Sequence, residues 1–214
     1  MIVGRVMTRN PISITLGTSV SDVQELMDAQ KIGKLPVLDK AGSLIGIVTR
    51  RDILKAAPST ATTLDRYEIS GAMKRIKVDT IMERHVITVQ EDEVVEEAAR
   101  IMVDRNVNSL PVMRGALLVG IVTVKDLFKV LINAFGARRP GVRATISVDN
   151  RHGFLAQLAE AISNRGGNFV AFVTLNEDDN GRYRMTFKAS DITKNNVEDI
   201  LRDMQGVQIE DIRG

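Results

Sequence analysis

The stretch MTRNPISITLGTSVSDVQELMDAQKIGKLPVLD, from Met7 to Asp39, recurs as MERHVITVQEDEVVEEAARIMVDRNVNSLPVMR, from Met82 to Arg114. The two copies align without a gap when the sequence is shifted by 75 positions (7 to 82), and both end on Leu-Pro-Val and two further residues. After a one-residue deletion the match resumes in Gly-Ile-Val-Thr-x-x-Asp, which spans 46–52 and again 120–126. A repeat of this length predicts two copies of one structural unit.

Each copy contains the same series of predicted elements: a short β-prone segment, a helix-period run, two apolar strands and a second helix. In the first copy the helix-period run places Val20, Val23 and Met27 on one face. Ser19 and Asp22 predict a capping box at the start of that helix. A unit this small cannot cover both faces of its own sheet, so we expect the two copies to pack against each other.

Composition narrows the class of protein. The chain has 214 residues, of which 44% are hydrophobic, and no apolar run approaches the roughly 18 residues that cross a bilayer. The N-terminal residues also lack the apolar core of a signal peptide, so we expect a cytoplasmic protein without a membrane partner. The formal net charge is only +2 and the sequence shows no aromatic set spaced to stack on bases, which disfavours a nucleic-acid partner.

The sequence contains no residue pattern typical of catalysis. Cysteine is absent and the two histidines, His85 and His152, are far apart, which disfavours a metal site. There is no Walker-type phosphate loop, no Gly-x-Ser-x-Gly elbow and no His-rich metal motif. We therefore predict a protein that is not an enzyme, with no catalytic residues, no metal and no catalytic cofactor.

The Met-Thr-x-x-Pro opening, the Leu-Pro-Val triplet and the Gly-Ile-Val-Thr-x-x-Asp motif together resemble the CBS domain, which occurs in tandem pairs. The resemblance covers roughly residues 1 to 135. It implies an α+β (mixed α/β) fold in which the CBS repeats pack as a pair around two clefts. In this family the clefts are commonly used for AMP, ADP, ATP or S-adenosylmethionine, which implies an adenine nucleotide as regulatory ligand.

Carried onto this sequence, the resemblance implies that Thr49 with Asp52, and Thr123 with Asp126, bind the ribose of the ligand. It places adenine against the apolar residues of the opening segments and near the residues before Leu-Pro-Val, which are Ile12, Ile14, Ile87, Val89, Lys34 and Ser109. Beside the motifs, the cations Arg50, Arg51 and Lys125 are candidates to neutralise phosphates.

Elementary chemistry agrees with these roles. A strand that ends in Thr and opens a helix presents the positive helix end to a phosphate, and an Asp carboxylate can accept hydrogen bonds from two ribose hydroxyls. Arg can grip a phosphate with two hydrogen bonds, whereas Lys acts as a point charge. In the alternative interpretation, Thr-x-x-Asp is only a helix capping box and the cations are solvated surface charges.

The two copies differ at their motifs, so we expect clefts of unequal affinity. The first copy offers Lys34, Arg50 and Arg51, and the matching positions of the second are Ser109, Val124 and Lys125. His85 also replaces Asn10, which predicts a different entry to the second cleft, unless His85 is an ordinary surface histidine.

The last part of the chain, 142–214, predicts the element order βαββαβ of a ferredoxin-like fold. Its turn from Asp149 to Leu155 and its Gly166-Gly167-Asn168 run resemble the ACT domain, although His152 stands where that family often has Pro. The resemblance implies an amino-acid site at Asp149, Gly153 and Asn168. In the alternative, the domain mediates interactions without a ligand, with Gly153 permitting a turn and Asn168 capping a loop.

The predicted organisation is a CBS repeat at 1–57, a connector helix at 58–75, a second CBS repeat at 76–135, a linker at 136–141 and an ACT-type domain at 142–214. This arrangement is similar to that of bacterial acetoin-utilisation accessory proteins. It implies a regulator that signals through a homodimer or a partner enzyme, in acetoin or other carbon metabolism. The alternatives are a transcriptional regulator, a structural dimerisation protein without nucleotide, or an amino-acid sensor.

Overall fold

The computed structural model describes residues 1–57, 71, 73–149, 151–177 and 181–214. It is a mixed α/β structure that divides into two compact units, Met1–Leu127 and Phe128–Gly214. No helix within those described ranges is long and apolar enough to cross a membrane.

The first unit contains the two repeats, which have matching elements. Its strands are β1 (Thr8–Arg9), β2 (Ile14–Thr15), β3 (Lys34–Leu38), β4 (Leu44–Thr49), β5 (Val89–Gln90), β6 (Ser109–Arg114) and β7 (Leu117–Thr123). Its helices are α1 (Val20–Ala29), α2 (Arg50–Ala56) and α3 (Val95–Asp104), with α4 (Val124–Ala134) crossing into the second unit. Short 3-10 turns at Val3–Arg5 and Val78–Thr80 precede the opening segments of the two repeats.

Each repeat forms a sheet around its Leu-Pro-Val strand. In the first repeat β3 pairs in parallel with β2 and antiparallel with β4, in the order β2-β3-β4. In the second repeat β6 pairs in the same way with β5 and β7, in the order β1-β7-β6-β5. The predicted helix start is confirmed in the first repeat, where the N–H of Asp22 donates to Ser19 Oγ at 3.1 Å.

The two repeats exchange their opening segments. β1 comes from the first repeat but pairs with β7 of the second, with Thr8 opposite Ile121. In the same way Glu83, from the opening of the second repeat, bridges to Ile47 in β4, and each residue's N–H donates to the other's carbonyl at 2.9 Å. Each motif-bearing strand therefore has the opening segment of the other repeat beside it.

Glycines in the motif strands allow this close approach. A Cβ on Gly46 would lie 2.6 Å from Sδ of Met82, and a Cβ on Gly120 would overlap Sδ of Met7. Because glycine has no side chain, the methionine that begins each repeat can lie directly on the strand of the other.

The core of the first repeat joins α1 to its sheet. The face predicted from the sequence is confirmed, because Val20, Val23 and Met27 are fully buried. They share one hydrophobic cluster with β3 and β4, and Met73 belongs to the same cluster. Met73 lies in the predicted connector helix 58–75, of which residues 58–70 and 72 fall outside the described residues.

The second unit has the predicted element order βαββαβ. Its elements are β8 (Val142–Asp149), α5 (Phe154–Asn164), β9 (Asn168–Glu177), β10 (Arg182–Ser190), α6 (Lys194–Asp203) and β11 (Val207–Arg213). The strands form one antiparallel sheet in the order β11-β8-β10-β9. Alternate residues of β8, from Val142 to Val148, are buried in one core with residues of α5 and α6.

The boundary between the units falls inside α4, earlier in the chain than the linker 136–141 that the sequence indicated. Within the second unit, Nζ of Lys188 in β10 donates to the carbonyl of Gly136 at 3.2 Å. The Cβ position of Gly136 also lies against Val170 of β9. These contacts attach the predicted linker to the C-terminal sheet.

Candidate functional site

A cleft of about 740 Å³ lies in the first unit, and residues of both repeats line it. The exchange of opening segments explains this shared lining, since it brings Glu83 beside β4. From the first repeat the lining residues are Gly33, Lys34, Ile47, Thr49, Arg50, Arg51, Asp52 and Lys55. From the second repeat they are Glu83, His85, Val86, Ile87, Asn106, Val107, Asn108, Ser109 and Pro111.

Thr49 and Asp52 form a capping box at the start of α2. Oδ2 of Asp52 accepts from the N–H of Thr49 at 2.9 Å and from its hydroxyl at 2.7 Å. Thr123 and Asp126 repeat this arrangement at the start of α4, at 3.1 and 2.7 Å. Capping is therefore an observed role of both motifs. At Asp52, which lines the cleft, capping is compatible with ligand binding, because a carboxylate has about four lone-pair sites and the capping bonds go to one oxygen.

The cations of the cleft are not equivalent. Nη1 of Arg50 donates to Oδ1 of Asp28 at 2.5 Å, and its Nη2 donates to the carbonyl of Met27 at 3.0 Å. Arg50 therefore lines the cleft while its guanidinium holds the end of α1. Arg51 and Lys55 are exposed lining residues.

Lys34 and Ser109 meet in this cleft, although the sequence assigned one to each repeat's site. Nζ of Lys34 donates to Oγ of Ser109 at 2.9 Å. Burial lowers the pKa of Lys34 from its ordinary value, and the nearby Asp52 carboxylate partly opposes that shift. The two positions are equivalent in the repeats, so they meet where the repeats join. Lys34 therefore lies with the first motif, as the sequence indicated, and Ser109 lies there as well. The roles of both residues in ligand binding stay predictions.

The apolar residues predicted for adenine are placed in three different ways. Ile87 lines the cleft. The side chains of Ile14 and Val89 are instead buried where β2 and β5 pair with Val37 and Val112, and they do not line this cleft. Their assignment as ligand contacts stays a prediction. Ile12 is exposed and follows β1, which places it on the side of the second motif.

The remaining predicted residues, Thr123, Lys125 and Asp126, also lie at the second motif and do not line this cleft. Asp126 is buried, and Lys125 is exposed.

Sequence reasoning missed the contribution of Glu83 and of Asn106 to Asn108. Oε1 of Glu83 accepts from the N–H of His85 at 2.7 Å and lies 3.6 Å from its Nδ1. The side chain of His85 is fully exposed at the rim. Glu83 follows Met82 in the opening of the second repeat, and Asn106 to Asn108 precede its Leu-Pro-Val triplet. These positions could have indicated a place in a cleft, but only with knowledge that the repeats exchange their opening segments.

The three residues predicted for an amino-acid site are not brought together within the chain. Asp149 pairs with Arg182 and Asn168 pairs with Ser190, at opposite ends of β10. The two pairs are eight positions apart along β10, a distance on the order of 27 Å. Gly153 precedes α5 with a φ of 80°, a conformation that favours glycine.

Asp149 is also engaged within the second unit. Its Oδ1 accepts from Nη1 of Arg182, whose guanidinium donates in addition to the carbonyl of Ser147 at 2.9 Å and to that of Gly206 at 2.8 Å. Arg182 thus ties β10 to the end of β8 and to the residue before β11. This arrangement accounts for Asp149 structurally, without an amino-acid ligand.

Two α/β repeats that exchange segments around a shared cleft, each with a Thr-x-x-Asp capping box, define a tandem-repeat module. Residues 3–59 and 78–133 match the CBS domain family, and the chain belongs to that family.

Two relatives show how widely this module occurs. A CBS domain-containing protein of Dictyostelium discoideum is 32% identical over 133 residues, which are 62% of this chain and 92% of that protein. A homoserine O-acetyltransferase of Methanococcoides burtonii is 32% identical over 130 residues, but these cover 60% of this chain and only 24% of that enzyme.

Three solved structures resemble the chain. The CBS domain pair of protein MJ0100, in complex with 5′-methylthioadenosine and S-adenosyl-L-methionine, has 29% identity and a TM-score of 0.52, over 65% of this chain and 98% of that one. A protein assigned to acetoin utilization (AcuB) from Vibrio cholerae has 28% identity and a TM-score of 0.53, over 64% and 95%. CBSX2 in complex with AMP has 26% identity and a TM-score of 0.52, over 61% and 96%.

Proposed function

We propose that this chain is a non-catalytic regulatory protein that binds an adenosine-containing ligand between its two CBS repeats. The observation that carries the proposal is the cleft itself, which brings the Thr49–Asp52 capping box together with Lys34 and Arg51. Asp52 can accept hydrogen bonds from ribose hydroxyls, and the two cations can interact with a phosphate.

Similarity to ligand-bound relatives supports the ligand class. MJ0100 was solved with 5′-methylthioadenosine and S-adenosyl-L-methionine, and CBSX2 with AMP. These ligands share adenosine and differ in charge at its 5′ end. By similarity, we propose the same class for this chain, with AMP, ADP, ATP and S-adenosylmethionine as candidates.

Regulation requires that the ligand bind one arrangement of the protein more tightly than another. We propose that the ligand changes the arrangement of a homodimer or of a partner enzyme. A role in acetoin or other carbon metabolism rests on similarity to the Vibrio cholerae protein. An ACT-type role of the second unit, its domain limits and a cytoplasmic location stay predictions from the sequence.

The test removes the motif carboxylates. Titration calorimetry with AMP, ATP and S-adenosylmethionine should detect binding to the wild type. In the double variant Asp52→Ala with Asp126→Ala the affinity should fall by at least about tenfold, because hydrogen bonds to a charged group are removed. Unchanged affinity in the double variant would show that the motifs serve only as caps.

Asp22→Ala is the matched control for the loss of a first-turn carboxylate. Asp22 stands at the start of α1, next to the Ser19 cap, and does not line the cleft. The Asp22→Ala substitution should lower the stability by about 1 kcal/mol or less and leave the ligand affinity unchanged.

A further inference from the structure

The exchange of opening segments determines which residue of one repeat stands beside the motif of the other. Glu83 bridges to Ile47, and Thr8 pairs with Ile121. Ile47 and Ile121 hold the same place in Gly-Ile-Val-Thr, and Glu83 and Thr8 hold the same place in their repeats. The second motif therefore has an uncharged hydroxyl where the first has a carboxylate.

The same comparison applies at the turn before Leu-Pro-Val. Asn106 lines the cleft of the first motif, and its equivalent in the other repeat is Lys31. Both residues adopt the left-handed conformation, with φ of 51° for Asn106 and 53° for Lys31, so the two turns share one backbone geometry. On the side of the second motif an ammonium group thus takes the place of an amide.

The other differences at the motifs do not cancel this difference in charge between the two sides. Arg51 and Lys125 occupy matching positions and carry the same charge. Arg50 has the uncharged Val124 as its counterpart, but its guanidinium is held by Asp28 and by a backbone carbonyl. At the positions equivalent to Glu83 and Asn106, the side of the second motif has one carboxylate fewer and one ammonium more.

We propose that the two clefts select adenosine ligands of different charge, with Glu83 and Lys31 as the specificity-determining residues. The site at Thr123 and Asp126 prefers the more highly phosphorylated nucleotide. The cleft at Thr49 and Asp52 accepts ligands with less negative charge, including a cationic sulfonium. This inference rests on the proposed function, because it assigns ligand charge to the clefts proposed there.

The expected effect is moderate, because the charges are exposed to solvent. The Glu83 side chain is 59% exposed, and Lys31 is exposed as well. Interactions of this kind change affinity by about twofold to fivefold per charge, so the two together should shift the ratio of ATP to AMP affinity by about tenfold. Salt should weaken the difference because exposed charges are screened.

The experiment isolates each cleft in the full-length chain. Asp126→Ala leaves the first cleft intact, Asp52→Ala leaves the second intact, and titration calorimetry then gives the affinities of ATP, AMP and S-adenosylmethionine in each background. We expect a higher ratio of ATP to AMP affinity in the Asp52→Ala background. Glu83→Gln should raise this ratio at the first cleft by about twofold to fivefold, and Lys31→Asn should lower it at the second by a similar factor.

The substitutions are chosen to preserve the structure. Gln keeps an acceptor for the N–H of His85, and Asn suits the positive φ of Lys31. Glu96→Gln, which removes an exposed carboxylate of α3 outside the cleft, is the matched control and should leave the ratio unchanged. If Lys31→Asn does not fold, Thr8→Glu tests the same site by adding the carboxylate.

The outcomes separate this inference from the proposed function. If the wild type binds none of the three ligands, the proposed function is overturned together with this inference. If both backgrounds bind with equal ratios that Glu83→Gln and Lys31→Asn leave unchanged, the inference is overturned and the proposed function stands. Unequal ratios that move with these variants and diminish in high salt support both.

Discussion

Lys34 and Ser109 occupy equivalent positions in the two repeats, and their hydrogen bond joins the repeats within the cleft. A lysine at such a position loses part of its hydration, which disfavours its charged form. The same ammonium group is available to a phosphate that enters the cleft. Lys34 therefore has two features to weigh: a proposed contact with a phosphate, and a charged form that burial disfavours in the folded protein.

We predict that Lys34→Met removes a pH-dependent part of the stability. Burial lowers the pKa of Lys34 below 10.5, so between the lowered pKa and 10.5 the unfolded chain binds more protons than the folded one. The wild type should therefore gain stability relative to Lys34→Met as the pH rises through that window. At neutral pH the variant should be equal to the wild type or more stable by up to about 1 kcal/mol, because Lys34 is only half-buried.

Urea denaturation of both proteins from neutral pH to about the unperturbed lysine pKa checks this prediction. The comparison with Lys34→Met cancels the titration of groups that the two proteins share. A stability difference that does not change with pH would contradict it.

The opening segments and motif strands depend on each other through the contacts of Gly46 with Met82 and Gly120 with Met7. An alanine at position 46 would place its Cβ 2.6 Å from Sδ of Met82 and 3.2 Å from the carbonyl oxygen of Glu83. Met82 is buried and must move if this Cβ is added. The exchange of segments therefore depends on two glycines as well as on the backbone hydrogen bonds between Ile47 and Glu83.

We predict that Gly46→Ala lowers the free energy of unfolding by about 1–3 kcal/mol, through overpacking against Met82. Combining it with Met82→Ala should relieve the overlap, so the double variant should be less destabilised than the sum of the single variants by at least about 0.5 kcal/mol. Chemical denaturation of the four proteins measures this coupling. Gly33→Ala is the control, because its Cβ would meet its nearest neighbour, Arg50, at 3.9 Å. If the losses of unfolding free energy in the two single variants simply add in the double variant, Gly46 does not provide the space that Met82 occupies.

Features set by short-range sequence patterns could be predicted, whereas pairings between distant segments could not. The helix start at Ser19, the series of strand, helix, two strands and helix in each repeat, and the βαββαβ series follow from local patterns and from the repeat, and the structure has them. The pairing of Ile47 with Glu83 links segments that are distant in sequence, and no local pattern specifies it.

The arrangement of the candidate site depends on contacts of the same long range. The sequence associated Lys34 and Ser109 with different repeats, whereas the structure joins them by a hydrogen bond in one cleft. Ile14 was predicted near adenine, and its side chain is buried in the core. In the second unit, Asp149 and Asn168 could not be placed until the register of β10 separated them.

Exposed apolar residues recur at equivalent positions of both repeats and indicate how whole chains assemble. Leu54 in α2 is 73% exposed, and Phe128, at the same place after the second motif, is 58% exposed. Val103 in α3 is 80% exposed, but its counterpart in the first repeat is the polar Asp28. Contiguous exposed apolar patches mark surfaces that another protein covers, and we propose that Leu54 and Phe128 each belong to such a surface because the exposed apolar residue recurs in both repeats.

We therefore expect the protein to form a homodimer with two-fold symmetry, in which the helices that follow the motifs take part. Light scattering coupled to gel filtration should give about twice the chain mass of 23.6 kDa for the wild type. Leu54→Glu should shift the protein toward the monomer, because it places a charge at a buried apolar contact, whereas Val103→Glu should leave the dimer intact. A wild-type particle of chain mass at micromolar concentration would contradict the dimer. If Leu54→Glu and Val103→Glu dissociate the dimer equally, the role of α2 is contradicted. The effect would then come from the added charge, not from the loss of an apolar residue at the position that recurs in both repeats.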